Sequence, residues 1–308
     1  MKSTKLGEFI SVGVLFLGLV FSDQTLLASP QLPQVVQAAN DDSVQVLPGN
    51  GGNLPLTNQL LLMTNNHALI SLTSNAGARL HLSNNATLQD VIVKNVQSTD
   101  TITATYGQVG YYLGKPISAK MVISAIKLHG DAHRFHDDPR DVSFRIWHSM
   151  SDGVSLITAE QLTVSYQFFD LKTQQPIDIQ DSFLTLSSLD GPVTHSTKGF
   201  EYVAYQGSGP IYRVENSIVR QIKNPLDHSQ LVMAGQLSQP NGWPYNSSTA
   251  ATFGVHGQTI SFTYGNGRYM VNDYWYTPMF MPSTMTFGSA TLHQPTLTVK
   301  RHEQDIGG

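Results

Sequence analysis

Three His and four Asp crowd into the thirteen residues from His129 to Asp141, the densest run of ionisable side chains in the chain. Carboxylate oxygens in such a run suit calcium, and imidazole nitrogens suit zinc or another transition metal. The spacing matches neither H-E-x-x-H nor the EF-hand loop. Flanked by β-forming blocks and rich in turn residues, the run reads as a solvated hairpin loop, and metal ligands stay unassigned. Paired carboxylates for glycoside hydrolysis fare no better. Beyond residue 39 the glutamates are Glu160, Glu201, Glu215 and Glu303, and none lies in an alternating E-x-D-x-x-E strand. Glu201, bracketed by Phe200 and Tyr202, reads as an outward residue of an alternating strand. Gly207-Ser208-Gly209 lacks the spacing of a G-x-S-x-G elbow. The absence of cysteine removes a thiol nucleophile, a thiolate zinc site and a disulfide framework together. These residues assemble no catalytic site, and the chain reads as a non-enzyme.

Sugar recognition asks for less: flat aromatic faces for the C–H surface, with amides and hydroxyls for the sugar hydroxyls. The segment from Gln239 to Ser248 has that composition, with Trp243, Tyr245 and Asn246 held between Pro and Gly. A second aromatic group is Tyr274-Trp275-Tyr276, where strand alternation puts Trp275 on one face and the tyrosines on the other. Trp243, Tyr245, Asn246 and Trp275 are the candidate carbohydrate-binding residues. For Trp243 the competing reading is a plug at the end of a core. Trp147 closes a strand block and reads as buried rather than binding.

The elements that must position these groups are strands. Short β-branched and aromatic blocks bounded by Gly, Asn, Asp and Pro fall at Ala68–Leu72, Val91–Val96, Ile102–Tyr106, Lys120–Leu128, Val142–His148, Leu162–Phe169, Phe183–Ser187, Phe200–Tyr205, Leu231–Gly235, Thr259–Tyr264, Tyr269–Val271 and Thr296–Lys300. Without a long helix of 3.6 period, the pattern predicts an all-β chain: a large antiparallel β-sandwich with short helical excursions. Two segments have helical spacing, Leu56–Met63 and Glu215–Lys223, the latter through Val214, Ile218, Val219 and Ile222.

Four strand-and-turn blocks occur in a fixed order: Tyr112 with Gly114-Lys115-Pro116-Ile117; Trp147 with Asp152-Gly153-Val154; Phe168-Phe169-Asp170 with Pro176-Ile177-Asp178; and Leu184 with Ser188-Leu189. In content and order they resemble the glucan-binding protein C / antigen I/II variable-domain family of Gram-positive surface adhesins, over roughly Thr87 to Val299. The resemblance implies a lectin-like supersandwich, an adhesive role and a bound calcium ion, although no calcium ligand maps onto this sequence. It also pairs the Gly242-Trp243 loop and the Trp275-Tyr276 element with family counterparts. The large adhesins' helical and proline-rich repeats and their LPxTG sorting motif have no counterpart among these 308 residues.

Lys2 and Lys5, the apolar run Phe9–Phe21 and the small-residue pattern Val36-Gln37-Ala38 form an export signal. The apolar run is interrupted at Ser22, Asp23 and Gln24 before it reaches membrane-spanning length. The expected organisation is a signal peptide at 1–39, a flexible linker at 40–64 around Pro48-Gly49-Asn50-Gly51-Gly52-Asn53, a sandwich at 65–300 and a tail at 301–308. The leader holds Lys2, Lys5, Glu8 and Asp23, so its removal leaves the net charge of −4 unchanged. A weakly acidic chain argues against nucleic acid as partner. The sequence therefore reads as a secreted or surface-associated monomeric module, without stable membrane insertion after cleavage, that binds glucan, host glycan or glycoprotein. The alternatives are a secreted carbohydrate-active enzyme on the same fold, or a docking module for non-glycan partners. N-terminal sequencing of the secreted protein should give a start at Ala39 or Asn40, and a mature form that keeps Phe9–Phe21 overturns the export reading.

Overall fold

The structure is a computed structural model that describes residues 44–47, 59–63, 66–85, 89–128, 143–156, 159–187, 189, 200–235, 247–267 and 283–287, all within one compact unit. Its strands form because apolar residues recur at every second position, which turns one face of each strand to a core. Ile102, Ala104 and Tyr106 are buried on one strand, Leu162, Val164, Tyr166 and Phe168 on another, and Ile260, Phe262 and Tyr264 on a third, while the residues between them stay partly exposed, Thr263 excepted.

Two sheets result. Sheet 1 runs in the order β1 (Val44–Leu47), β13 (Ile211–Val214), β16 (Ala251–Gly257), β11 (Ile179–Ser187), β18 (Ser283–Phe287), β9 (Val154–Leu156), β8 (Phe144–Trp147), β5 (Asp90–Lys94) and β4 (His81–Asn85). Sheet 2 runs β14 (Val219–Lys223), β15 (Leu231–Gly235), β12 (Phe200–Tyr205), β17 (Ile260–Gly267), β10 (Ala159–Asp170), β7 (Lys115–Leu128), β6 (Ile102–Tyr112) and β2 (Leu60–Leu62), with β3 (Leu69–Ser74) also paired to β6. Among the described residues every strand pair is antiparallel except β1 with β13, and helix is confined to short 3-10 turns. The large antiparallel sandwich expected from the sequence is what the chain forms.

The inner faces share one core, in which Phe253 of sheet 1 meets Phe262 of sheet 2 edge-on at 5.4 Å between ring centroids. Polar tips inside it are paired. The Tyr166 and Tyr264 hydroxyls lie 3.2 Å apart, and the Tyr106 hydroxyl donates to the Trp147 carbonyl at 3.0 Å. Burial pushes all three phenols well above their ordinary pKa.

Sheet 2 also curls over its own outer face. The tip of the β14–β15 hairpin brings the Asn224 side-chain nitrogen to Gln161 Oε1 of β10 at 3.1 Å, where the Tyr202 hydroxyl also donates at 3.0 Å. Asp227 in the same tip lies within electrostatic reach of Lys127 on β7. Under this arch Tyr202, Ala204, Val232 and Ala234 form a second small core. The ring of Tyr202 crosses Gly265 of β17, where a Cβ would collide with it.

Several expectations are corrected. Leu60–Leu62 is a strand on Tyr112–Gly110, with Leu60 fully buried, so cross-strand pairing overrides the leucine cluster read as helix. The second helical candidate divides: Val214 closes β13, a turn covers Glu215 and Asn216, and Val219–Lys223 pairs with Leu231–Gly235. The segment expected to be a linker contributes β1, which adds at the sheet edge with Val44 against the core. Replacing Gly265 by Ala should destabilise the protein by about 1–3 kcal/mol through overpacking. Combining it with Tyr202→Ala should add less than the sum of the two single effects, and strict additivity in urea denaturation would show that the ring and Gly265 do not share this space.

Candidate functional site

Register places the ends of many strands together. In sheet 2, Gln161 of β10 pairs with Gly265, Gly265 with Tyr202, Tyr202 with Ala234, and Ala159 with Leu128. The last residues of β7, β15 and β17 and the first residues of β10 and β12 therefore share one end. In sheet 1, Phe144 pairs with Leu156, Leu156 with Ser283, Ser187 with Thr286 and Leu186 with Ala251. That gathers the first residues of β8, β16 and β18 and the last of β9 and β11. The two ends are the same end of the sandwich, because the Ala159 amide donates to the Ser143 carbonyl at 3.0 Å and only residues 157 and 158 join β9 to β10.

The connections 129–142, 188–199, 236–246 and 268–282 all attach there. They carry the His129–Asp141 cluster, Trp243, Tyr245, Asn246 and Trp275, every one of which lies outside the described residues. The register thus brings together the attachment points of the aromatic and the acidic segments, which sequence spacing alone had left unrelated.

Other residues singled out from the sequence are described. Trp147 is half-buried at the opposite end of β8, its indole N–H donating to Ser155 Oγ at 2.9 Å. Glu201 does not face outward. Alternation sets it on the same face as the core residue Val203, while Phe200 and Tyr202 turn to the outer face beneath the hairpin. Gly207-Ser208-Gly209 links β12 to β13 with no helix after it. Glu160, Glu201 and Glu215 sit on or beside three different strands, and no catalytic constellation forms among the described residues. No group of three or more His, Asp or Glu among the described residues is placed to hold a metal ion.

Three of the blocks that carried the resemblance include a described turn. Leu113 and Gly114, both at positive φ, close the β6–β7 hairpin between Tyr112 and Lys115. Asp170 Oδ1 accepts from the Thr173 amide and hydroxyl and the Lys172 amide, which holds its carboxyl below the usual range. Asp152 ends a 3-10 turn, Met150–Asp152, before Gly153 at φ 71°. It closes a polar chain in which Asn66, Ser149 and Ser151 are linked through Ser149 Oγ at 3.2 and 2.9 Å. Burial raises the Asp152 pKa, partly offset by Ser151 and by His67.

The sequence reading passed over the outer face of sheet 2. There β10 presents Thr163, Ser165, Gln167 and Phe169, and β17 presents Ser261 and Thr263. Gln206 Nε2 lies 3.2 Å from Thr163 Oγ1 and 2.9 Å from Thr263 Oγ1, and the Ser165 and Ser261 hydroxyls are 2.7 Å apart. The signal was present in the hydroxyl alternation of Thr163-Val164-Ser165 and Ser261-Phe262-Thr263.

No protein-family model matches the chain, and no curated protein sequence matches it either. Solved structures similar in fold include the following three. Glucan-binding protein C of Streptococcus mutans is 15% identical with a TM-score of 0.46, the match covering 68% of this chain and 73% of that one. The adhesin domain of PrgB from Enterococcus faecalis bound to DNA is 14% identical with a TM-score of 0.47, covering 79% and 97%. The N-terminal domain of the Streptococcus gordonii adhesin Sgo0707 is 10% identical with a TM-score of 0.40, covering 76% and 61%. The likeness is to bacterial surface-adhesin domains in general and does not single out the glucan-binding family.

One expectation about partners is corrected by these structures: the exclusion of nucleic acid is withdrawn, because the PrgB adhesin domain is bound to DNA. The physical reason is that net charge averages over a whole chain while association follows local charge. On this chain Arg79, His81, Lys94 and Arg145 gather around β4, β5 and β8, with Asp100 paired to Arg79 and Asp90 to Arg145.

Asp152 gives this region a pH signature. A carboxyl whose pKa is raised by folding weakens the fold once it ionises, so the penalty is full at neutral pH and vanishes below the unfolded value. Asp152→Asn should raise the urea midpoint at pH 7, and the gain should shrink as the pH falls through the carboxylate range. A gain that is the same at pH 7 and pH 3 would remove burial of the charge as its cause.

Proposed function

We propose that this chain is an adhesin-like module of the cell surface that takes a glycan or glycoprotein at the end of the sandwich where the connections 236–246 and 268–282 attach. The observation that carries the reading is the shared attachment end. Trp243, Tyr245 and Asn246 come from one connection and Trp275 from the other, and a stacking site built from both needs their anchors to be neighbours. Three aromatic side chains and an amide supply the apolar face and the hydrogen bonds that a sugar requires. The rigid strands behind them limit the ordering cost of binding. A secreted location follows from the leader. The non-glycan alternative, a protein or DNA docking module, is separated by experiment.

A glycan array and a labelled duplex DNA should be offered to the protein from Asn40 onward. Under the proposal a glycan binds, and Trp243→Ala or Tyr245→Ala weakens it by about 1–3 kcal/mol, roughly 5- to 150-fold, with the melting temperature unchanged. Normal glycan binding by a well-folded Trp243→Ala protein overturns the site. A loss of about 3–5 kcal/mol in stability returns Trp243 to a core, and retention of DNA alone favours the docking alternative.

A further inference from the structure

The arch of the β14–β15 hairpin closes one part of the outer face of sheet 2 and leaves the next part open as a shelf. Along β10 the shelf presents Thr163, Ser165, Gln167 and Phe169 in one row, each partly exposed. Beside them stand Ser261 on β17 and Gln206 after β12. The row spans roughly 20 Å, the length of a short oligosaccharide rather than of one sugar.

Its groups are mainly uncharged hydroxyls and amides, with one ammonium among them: Lys120 of β7 stands opposite Gln167 and is set over the Phe169 ring at 5.8 Å. A solvent-facing sheet usually carries mixed charges, and an anionic polymer would need more than one cation here. Hydrogen-bonding capacity remains unspent. The Gln206 amide uses one end on both Thr163 and Thr263, which leaves its other end, while each hydroxyl can make more than the bond it has. Thr263 is almost wholly buried, so its remaining capacity has little access to bulk water. Phe169 adds the apolar surface that the C–H face of a sugar needs.

We propose that this shelf is a second binding site, for a neutral polysaccharide segment lying along β10 from the hairpin tip to Phe169. It deepens the glycan reading and rests on it, but uses different residues from the loop end. The probe is dextran, measured by affinity electrophoresis and titration calorimetry on the protein from Asn40 onward. Ser165→Arg, which fills the shelf, should lower dextran affinity by about tenfold or more, and Thr163→Val, which removes one hydroxyl at constant shape, by about threefold. Both should melt as the unchanged protein does. The shelf is overturned if Thr163→Val and a folded Ser165→Arg bind dextran normally, and Trp243→Ala on an intact shelf tells which reading has failed. Loss in Trp243→Ala alone keeps the loop site and removes the shelf; loss in the shelf variants alone does the reverse. A protein that ignores dextran altogether overturns the shelf, and one that also ignores the array overturns both.

Discussion

Phe262 stands at the centre of contacts that join both sheets: edge-on to Phe253 across the gap, tilted against Tyr205 at 5.2 Å, and stacked beside Tyr264 at 6.2 Å. Pairs of this kind gain from offset and edge-to-face geometry in addition to area burial. They also fix phase. A strand that slipped by one residue would turn Phe262 to solvent and Ser261 to the core, so the aromatic layer decides which side chains of β17, and through pairing those of β10 and β12, face outward. The polar shelf and the small core under the hairpin are both consequences of that choice.

The same constraint separates framework from variable chemistry. With the phase locked, strand ends fall at fixed places, and the long connections can change without disturbing the layer. Loops carry recognition for this reason: they sit on a rigid scaffold and tolerate substitution. The opposite end is built differently. There Asn66, Ser149, Ser151 and Asp152 form a half-buried polar chain beside Trp147, whose indole N–H and carbonyl both have partners. Groups tied to one another in this way serve the fold before they serve a ligand.

Sheet architecture was legible because alternation is a local signal. Phe200–Tyr205 and Leu231–Gly235 have the bounds read from the sequence, and the long strands β6, β7, β10 and β11 extend the blocks seen there. The misses are equally physical. Val44–Leu47 and Leu60–Leu62 are too short to show a period and are ordered only by the edges they join. Val219–Lys223 matches a helical stripe, and nothing local in it announces pairing with Leu231–Gly235. Glu201 was assigned outward because Phe200 and Tyr202 looked like core residues. They are core residues, but of the small core under the arch, which exists only once the hairpin has folded over.

The shelf was invisible for a different reason. Ser, Thr and Gln on alternate positions are what any solvent-facing strand shows, so the pattern gains meaning only when register puts Thr163 beside Thr263 and Ser165 beside Ser261. The motifs that carried the family resemblance teach the converse. Gly114, Gly153 and Asp170 shape turns through positive φ and a side-chain cap, and a chain can keep all of them while replacing every residue that touches a partner. Turn chemistry therefore travels with the fold and carries no information about the ligand. The choice between partners has to be read from the faces and loop ends that the turns merely hold in place.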